Sequence, residues 1–199
     1  MNEHITRTLS HDERVADSKT LFGFWVYLMT DLVLFASLFA TFAVLRGPEF
    51  GGASIQNIFN LPYILVETIV LLCSSFTCGL ALLSARAESI RAAIFWLSFT
   101  FVLGATFLGM EISEFARLAI QGFGPSRSGF LSAYFTLVGT HGTHVAIGLL
   151  WLLSLVIAIF KKGFSRGNLR KLALFAIFWH FIDIIWIFIF TIVYLFGSL

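Results

Sequence analysis

The sequence predicts an all-α integral membrane protein, a bundle of five transmembrane helices. Three observations carry this expectation. Of the 199 residues, 58% are hydrophobic and only 12% carry charge, too few to clothe a soluble domain of this length. Five apolar stretches each reach the roughly 20 residues needed to cross a hydrocarbon core about 30 Å thick. No Lys or Arg falls inside any of them.

The predicted spans are Leu21–Leu45, Leu61–Ser84, Ala92–Ile112, Phe130–Phe160 and Leu172–Phe196. The fourth is the longest, which allows it to tilt or to project from the membrane. The connections carry turn chemistry: Gly47-Pro48 and Gly51-Gly52 after the first span, Gly122-Phe123-Gly124-Pro125 after the third. The second and fourth connections, Ala85–Arg91 and Lys161–Lys171, are short and polar. The expected organisation is a polar amino-terminal tail, residues 1–20, and one membrane domain, residues 21–199. The tail mixes Glu3, Asp12, Glu13 and Asp17 with Arg7, Arg14 and Lys19. It is unlike a secretory signal, so insertion is expected to rely on the first span.

Orientation follows from the Lys and Arg of the connections. Arg7, Arg14 and Lys19 in the tail, Arg86 and Arg91 in the second loop, and Lys161, Lys162, Arg166, Arg170 and Lys171 in the fourth lie on one side. Arg46, Arg117 and Arg127 lie on the other. The amino terminus is therefore expected in the cytoplasm and the carboxyl terminus on the opposite side. The net charge of +2 is small and says nothing about nucleic acid by itself; the basic residues form no stripe, and no nucleic-acid partner is expected. Cys73 and Cys78 sit five positions apart in one span, turned roughly 140° from each other on a helix, and read as packing residues.

Each span has one narrow polar stripe. Glu67, Ser74 and Cys78 share a face in the second, and Thr100, Gly104 and Glu111 in the third. The fourth gathers Thr136, Thr140, His141, His144 and Gly148; the fifth gathers His180, Asp183, Thr191 and Tyr194. Helices built this way have a polar seam and a broad lipid-facing side. Small residues four apart, such as Ser75/Gly79, Ala105/Gly109 and Gly142/Ala146, would allow close backbone approach. Trp179 and Trp186 lie well inside a span and read as packing residues whose indole N–H bonds a neighbour.

Asp31, Glu67, Glu111 and Asp183 are intramembrane carboxyls, with Glu114 at the end of the third span. An isolated charge in hydrocarbon is costly, so each must be protonated, hydrated or hydrogen-bonded. The basic partners inside the spans are His141, His144 and His180. Residues three apart project from one helix face, so a structural polar network of His141, His144, His180 and Asp183, reaching towards Asp31, is the favoured reading. Haem ligation by two of these histidines is the sharper rival, but no third His or soft ligand completes a set. A proton relay is the other, and the inner half of the spans offers few titratable groups to extend it. No nucleophile with a base, phosphate loop or nucleotide fingerprint appears, so no catalytic residue and no metal site are expected.

The motifs also resemble a known family. Gly139-Thr140-His141-Gly142-Thr143-His144-Val145, Phe178-Trp179-His180-Phe181-Ile182-Asp183 with Trp186, Met110-Glu111-Ile112-Ser113-Glu114-Phe115, and Phe22-Gly23-Phe24-Trp25 leading to Asp31 occur in order. They resemble subunit III of haem–copper terminal oxidases. The five spans and Gly124-Pro125-Ser126-Arg127-Ser128-Gly129 are most similar to the short form in bacterial cytochrome bo-type ubiquinol oxidases. The longer members have two further amino-terminal helices. The resemblance implies a non-catalytic accessory subunit in a bacterial inner membrane, in the aerobic respiratory chain, without cofactors of its own. Haems and copper belong to subunit I, which reduces oxygen and pumps protons; subunits II and IV, phospholipid and ubiquinol complete the complex. It also implies a proton-related role for Asp31, which occupies the family's mid-membrane carboxylate position with aspartate in place of glutamate. A cytochrome c oxidase subunit III and a small multi-span transporter are the alternatives.

Overall fold

The structure is a computed structural model that describes residues 2–47, 60–163 and 165–195, with side chains described from Ser18 onward except at positions 162 and 166. It contains five helices and, among the described residues, no strand. They are α1 (Asn2–Leu45), α2 (Leu61–Arg86), α3 (Ile90–Ile120), α4 (Gly129–Lys162) and α5 (Arg166–Ile189), and α5 continues as a π-helical turn over Phe190–Leu195. Each contains a stretch long and apolar enough to cross a membrane, the first being Ser18–Leu45.

Local chemistry sets the ends. Pro62 opens α2, where its missing N–H costs no intrahelical bond. Only Ala87, Glu88 and Ser89 separate α2 from α3, and Glu88 takes the left-handed conformation at φ 58° to turn the chain. Gly122, at φ 79°, makes the turn after α3, a conformation that costs glycine no β-carbon clash. The Ser128 hydroxyl accepts from Leu131 N at 3.1 Å and caps α4. Ser165 caps α5 in the same way through Asn168 N at 3.2 Å. Three helices clearly outrun their predicted limits. α1 starts at Asn2 rather than Leu21, so the polar tail continues the first span as helix. α3 passes through Glu114 and Arg117 to Ile120, with Arg117 favourably placed in the last turn. α5 starts at Arg166 rather than Leu172, because the Ser165 cap starts the helix while the chain is still polar. Pro48, Gly51-Gly52 and the end of the fifth predicted span at Phe196 lie outside the described residues.

The chain divides into two compact units, Met1–Ala36 and Ser37–Leu199. The first is helix alone; within it Thr30 Oγ1 donates to the Tyr27 carbonyl at 2.6 Å, and a side-chain hydrogen bond links Tyr27 with Asp31 one turn on. In the second, α2 packs on α3, α3 on α4, α4 on α5, and α5 back on α2, so the four helices close a ring. The end of α1 joins it where Phe42 meets Phe130 at 5.5 Å between ring centres. Aromatic rings fill the interior, among them Phe107, Tyr134, Phe175, Phe178, Trp179, Trp186 and Tyr194, all under 3% exposed. The outward faces carry Phe, Leu, Ile and Val.

Candidate functional site

The interior of the ring is polar along one line, and its middle layer is built from α2 hydroxyls. Trp179 Nε1 donates to Ser74 Oγ at 3.0 Å. Ser75 Oγ lies 2.7 Å from His180 Nδ1, and Thr77 Oγ1 lies 2.8 Å from Thr100 Oγ1 of α3. A buried indole or hydroxyl without a partner in hydrocarbon is costly, so each of these bonds fixes which helices are neighbours. The Trp179 ring fits because two glycines face it. A β-carbon at Gly104 would stand 2.9 Å from Trp179 Cζ2, and one at Gly148 would stand 2.8 Å from Cζ3.

The second layer lies nearer the end of the bundle that carries the α3–α4 turn. Trp186 Nε1 donates to Thr68 Oγ1 at 3.1 Å, while Thr68 Oγ1 donates to the Ile64 carbonyl at 2.8 Å. Trp186 also packs edge-on against Phe107 at 4.7 Å and beside His141 at 5.0 Å. Tyr134 and Tyr194 join hydroxyls at 2.9 Å, both fully buried, so the π-helical turn of α5 is tied to α4.

Three carboxyls share this layer. Glu67 of α2 and Glu111 and Glu114 of α3 are each at most 3% exposed, and they lie near enough for their charges to interact. Arg117, 39% exposed at its side chain, reaches Glu114 at 3.5 Å. Among the described residues, both Glu67 oxygens and Glu111 Oε2 have no hydrogen-bond partner. The Glu111 carboxyl fills the space that a side chain at Gly142 would take: a β-carbon there would stand 2.8 Å from Glu111 Cδ. Gly142 therefore lets an acid pass between α3 and α4.

The histidines are placed apart. His141 is fully buried, with Phe107 edge-on to it at 5.8 Å and Trp186 tilted beside it at 5.0 Å between ring centres. His144 Nδ1 is 2.8 Å from the Thr140 carbonyl of its own helix. His180 turns outward on the chain's surface and bonds α2. Asp183, three residues on, is 8% exposed and interacts with the same Ser75. Asp31 belongs to the first compact unit, one helical turn from Tyr27. Cys73 is exposed and Cys78 buried, both free. Among the described residues, no group of three or more His, Cys, Asp or Glu is placed to hold a metal ion.

Sequence reasoning missed the partners Thr68, Ser74 and Ser75, the Tyr134–Tyr194 pair, and the glycines that admit Trp179 and Glu111. A signal was present: the indoles at 179 and 186 are two helical turns apart, matching hydroxyls at 74 and 68 on an antiparallel neighbour.

Known proteins carry the same arrangement of sequence. The profile of the family described as cytochrome c oxidase subunit III matches residues 4–198. The cytochrome bo(3) ubiquinol oxidase subunit 3 of Pseudomonas aeruginosa is 54% identical over 204 residues, covering 100% of this chain and 98% of that protein. The protein of the same description in Pseudomonas putida is 50% identical over 180 residues, covering 90% and 87%. A probable quinol oxidase subunit 3 of Staphylococcus aureus is 40% identical over 196 residues, covering 95% and 98%. Match and fold run together from the first turns of α1 to the end of α5, and the chain belongs to the cytochrome c oxidase subunit III family.

Proposed function

We propose that this chain is the non-catalytic third subunit of a proton-pumping haem–copper ubiquinol oxidase. The observation that carries the reading is the likeness to bo-type quinol oxidase subunits, which covers 100% of this chain and 98% of the Pseudomonas aeruginosa protein. Its interior supports the same reading. The hydroxyls and indoles are engaged in holding helices together, which suits a subunit that flanks and steadies a catalytic neighbour. The electron chemistry then belongs to haems and copper in subunit I. Subunits II and IV, phospholipid and ubiquinol are the remaining partners. The membrane is the bacterial inner membrane, with the amino terminus cytoplasmic because Lys and Arg concentrate on that side.

Purification in mild detergent through a tag on this chain tests the proposal. A haem- and copper-containing polypeptide with quinol oxidase activity should co-elute. A chain that emerges alone, with a haem band of its own or with saturable solute uptake in liposomes, would instead be a cytochrome or a transporter. Asp31, bonded to Tyr27 near the centre of the first apolar stretch, is the carboxylate we assign to sustained proton uptake. Asp31→Asn should leave assembly intact and shorten the period of steady turnover several-fold. Unchanged turnover and proton uptake in that variant would remove the role.

A further inference from the structure

The acids inside the ring outnumber the cations that meet them. Glu67 of α2 lies within charge range of both Glu111 and Glu114 of α3, and all three are buried. Among the described residues, the one salt bridge to any of them runs from Arg117 to Glu114 at 3.5 Å. Glu67, from the neighbouring helix, is 0% exposed and has no hydrogen-bond partner for either carboxyl oxygen among the described residues. Glu111 Oε2 is in the same condition. The other titratable side chains of this layer are Tyr134 and His141 from α4 and Tyr194 from the π-helical turn. The two tyrosines bond each other at 2.9 Å, and His141 lies against Phe107 and Trp186.

The backbone is shaped around one of these acids, since α4 carries only Gly142 where the Glu111 carboxyl lies. An apolar side chain of similar size would fill that space without desolvating a polar group. Acids kept inside a membrane bundle at such a cost mark proton or ion sites. Charge settles what these two hold. Three carboxylates facing one guanidinium would leave two negative charges in an apolar interior. An unpaired charge there is so costly that the group takes up a proton instead. Among the described residues, no group of three or more His, Cys, Asp or Glu is placed to hold a metal ion. A proton is the cation that fits.

We propose that Glu67 and Glu111 form a proton-binding site, each carboxyl holding one exchangeable proton while Glu114 stays ionised beside Arg117. The site is made by this chain alone, whichever complex holds it. Exchange runs towards the α3–α4 end of the bundle. Glu111, Glu114 and Arg117 succeed one another at three-residue spacing along α3, and the Arg117 side chain is 39% exposed. Towards the other end, Ser74 stands roughly 10 Å further along α2 and already accepts from Trp179. A proton from water adds to a carboxylate oxygen and leaves by the same route; no electron moves.

Infrared spectra of the detergent-extracted protein, with whatever subunits accompany it, test the site. Protonated carboxyls give a carbonyl stretching band that carboxylates and amides do not share. Glu67→Gln and Glu111→Gln should each remove one component of that band. Both components should shift when the unsubstituted protein is moved into heavy water. Each substitution replaces a neutral group by a neutral one of the same size, so both variants should assemble as the unsubstituted protein does. The proposal is overturned if either substitution leaves the band unchanged, or if the components never shift in heavy water. It is equally overturned if the glutamine variants fail to assemble, because a carboxylate charge would then be what the fold requires.

Discussion

Trp179→Ala should destabilise the four-helix ring by about 3–5 kcal/mol, the range for removing a large buried aromatic side chain. Three features concentrate the loss at this residue. The ring is 2% exposed, it is gripped where Gly104 and Gly148 have no side chains, and its indole N–H is bonded to Ser74. Alanine would leave a gap facing two glycines, which have nothing to extend into it, and would orphan the Ser74 hydroxyl. Heat-inactivation and subunit-retention midpoints of the purified complex measure the effect. Trp179→Phe separates the causes: it keeps much of the volume and should cost about 1–3 kcal/mol, the penalty for a buried polar group left unpaired. Equal losses in the two variants would show that the hydrogen bond, rather than the packing, holds α5 to α2.

Gly142→Val should destabilise by about 1–3 kcal/mol through overpacking, because its side chain would occupy the volume of the Glu111 carboxyl. Displacing Glu111 moves an acid within an apolar interior, so the strain cannot relax into solvent. Glu111→Ala clears that volume, and the double variant should recover most of the loss. A double-mutant cycle in the intact complex reads the coupling directly. Strict additivity of the two substitutions would mean that the carboxyl is not what Gly142 accommodates.

Much of the fold could be read before any coordinates. Five apolar runs without Lys or Arg are a strong signal in a solvent that forbids unpaired backbone, and the helices fall where the runs do. The limits failed where helix chemistry and hydropathy diverge: α1 is helical through the polar tail, and the polar turns at Glu114–Arg117 and Ser165–Asn168 stay helical once paired or capped. The site was harder. Spacing put His141 with His144 and His180 with Asp183 on shared faces, but it could not say which face turns inward. On α5 the inner face is held by Trp179, Ile182, Trp186 and Tyr194, whose bulk fills the ring, and His180 turns outward. The small-residue pairs were likewise ambiguous. Gly79 and Gly109 face nothing within 4 Å, whereas Gly104, Gly142 and Gly148 each admit a specific side chain. Partner identity decides the role of a glycine, and one sequence does not contain it.

Closure of the ring by α5 has a consequence for biosynthesis. The bonds from Trp179 to Ser74 and from Trp186 to Thr68 join positions 105 and 118 residues apart. At ~5–20 residues per second a ribosome needs roughly 5–20 s to span the shorter interval. During that time Ser74 and Thr68 of α2 lie in the bilayer without their indole partners. A nascent chain halted before its last helix therefore displays a polar stripe that membrane surveillance proteases can recognise, and a finished one does not.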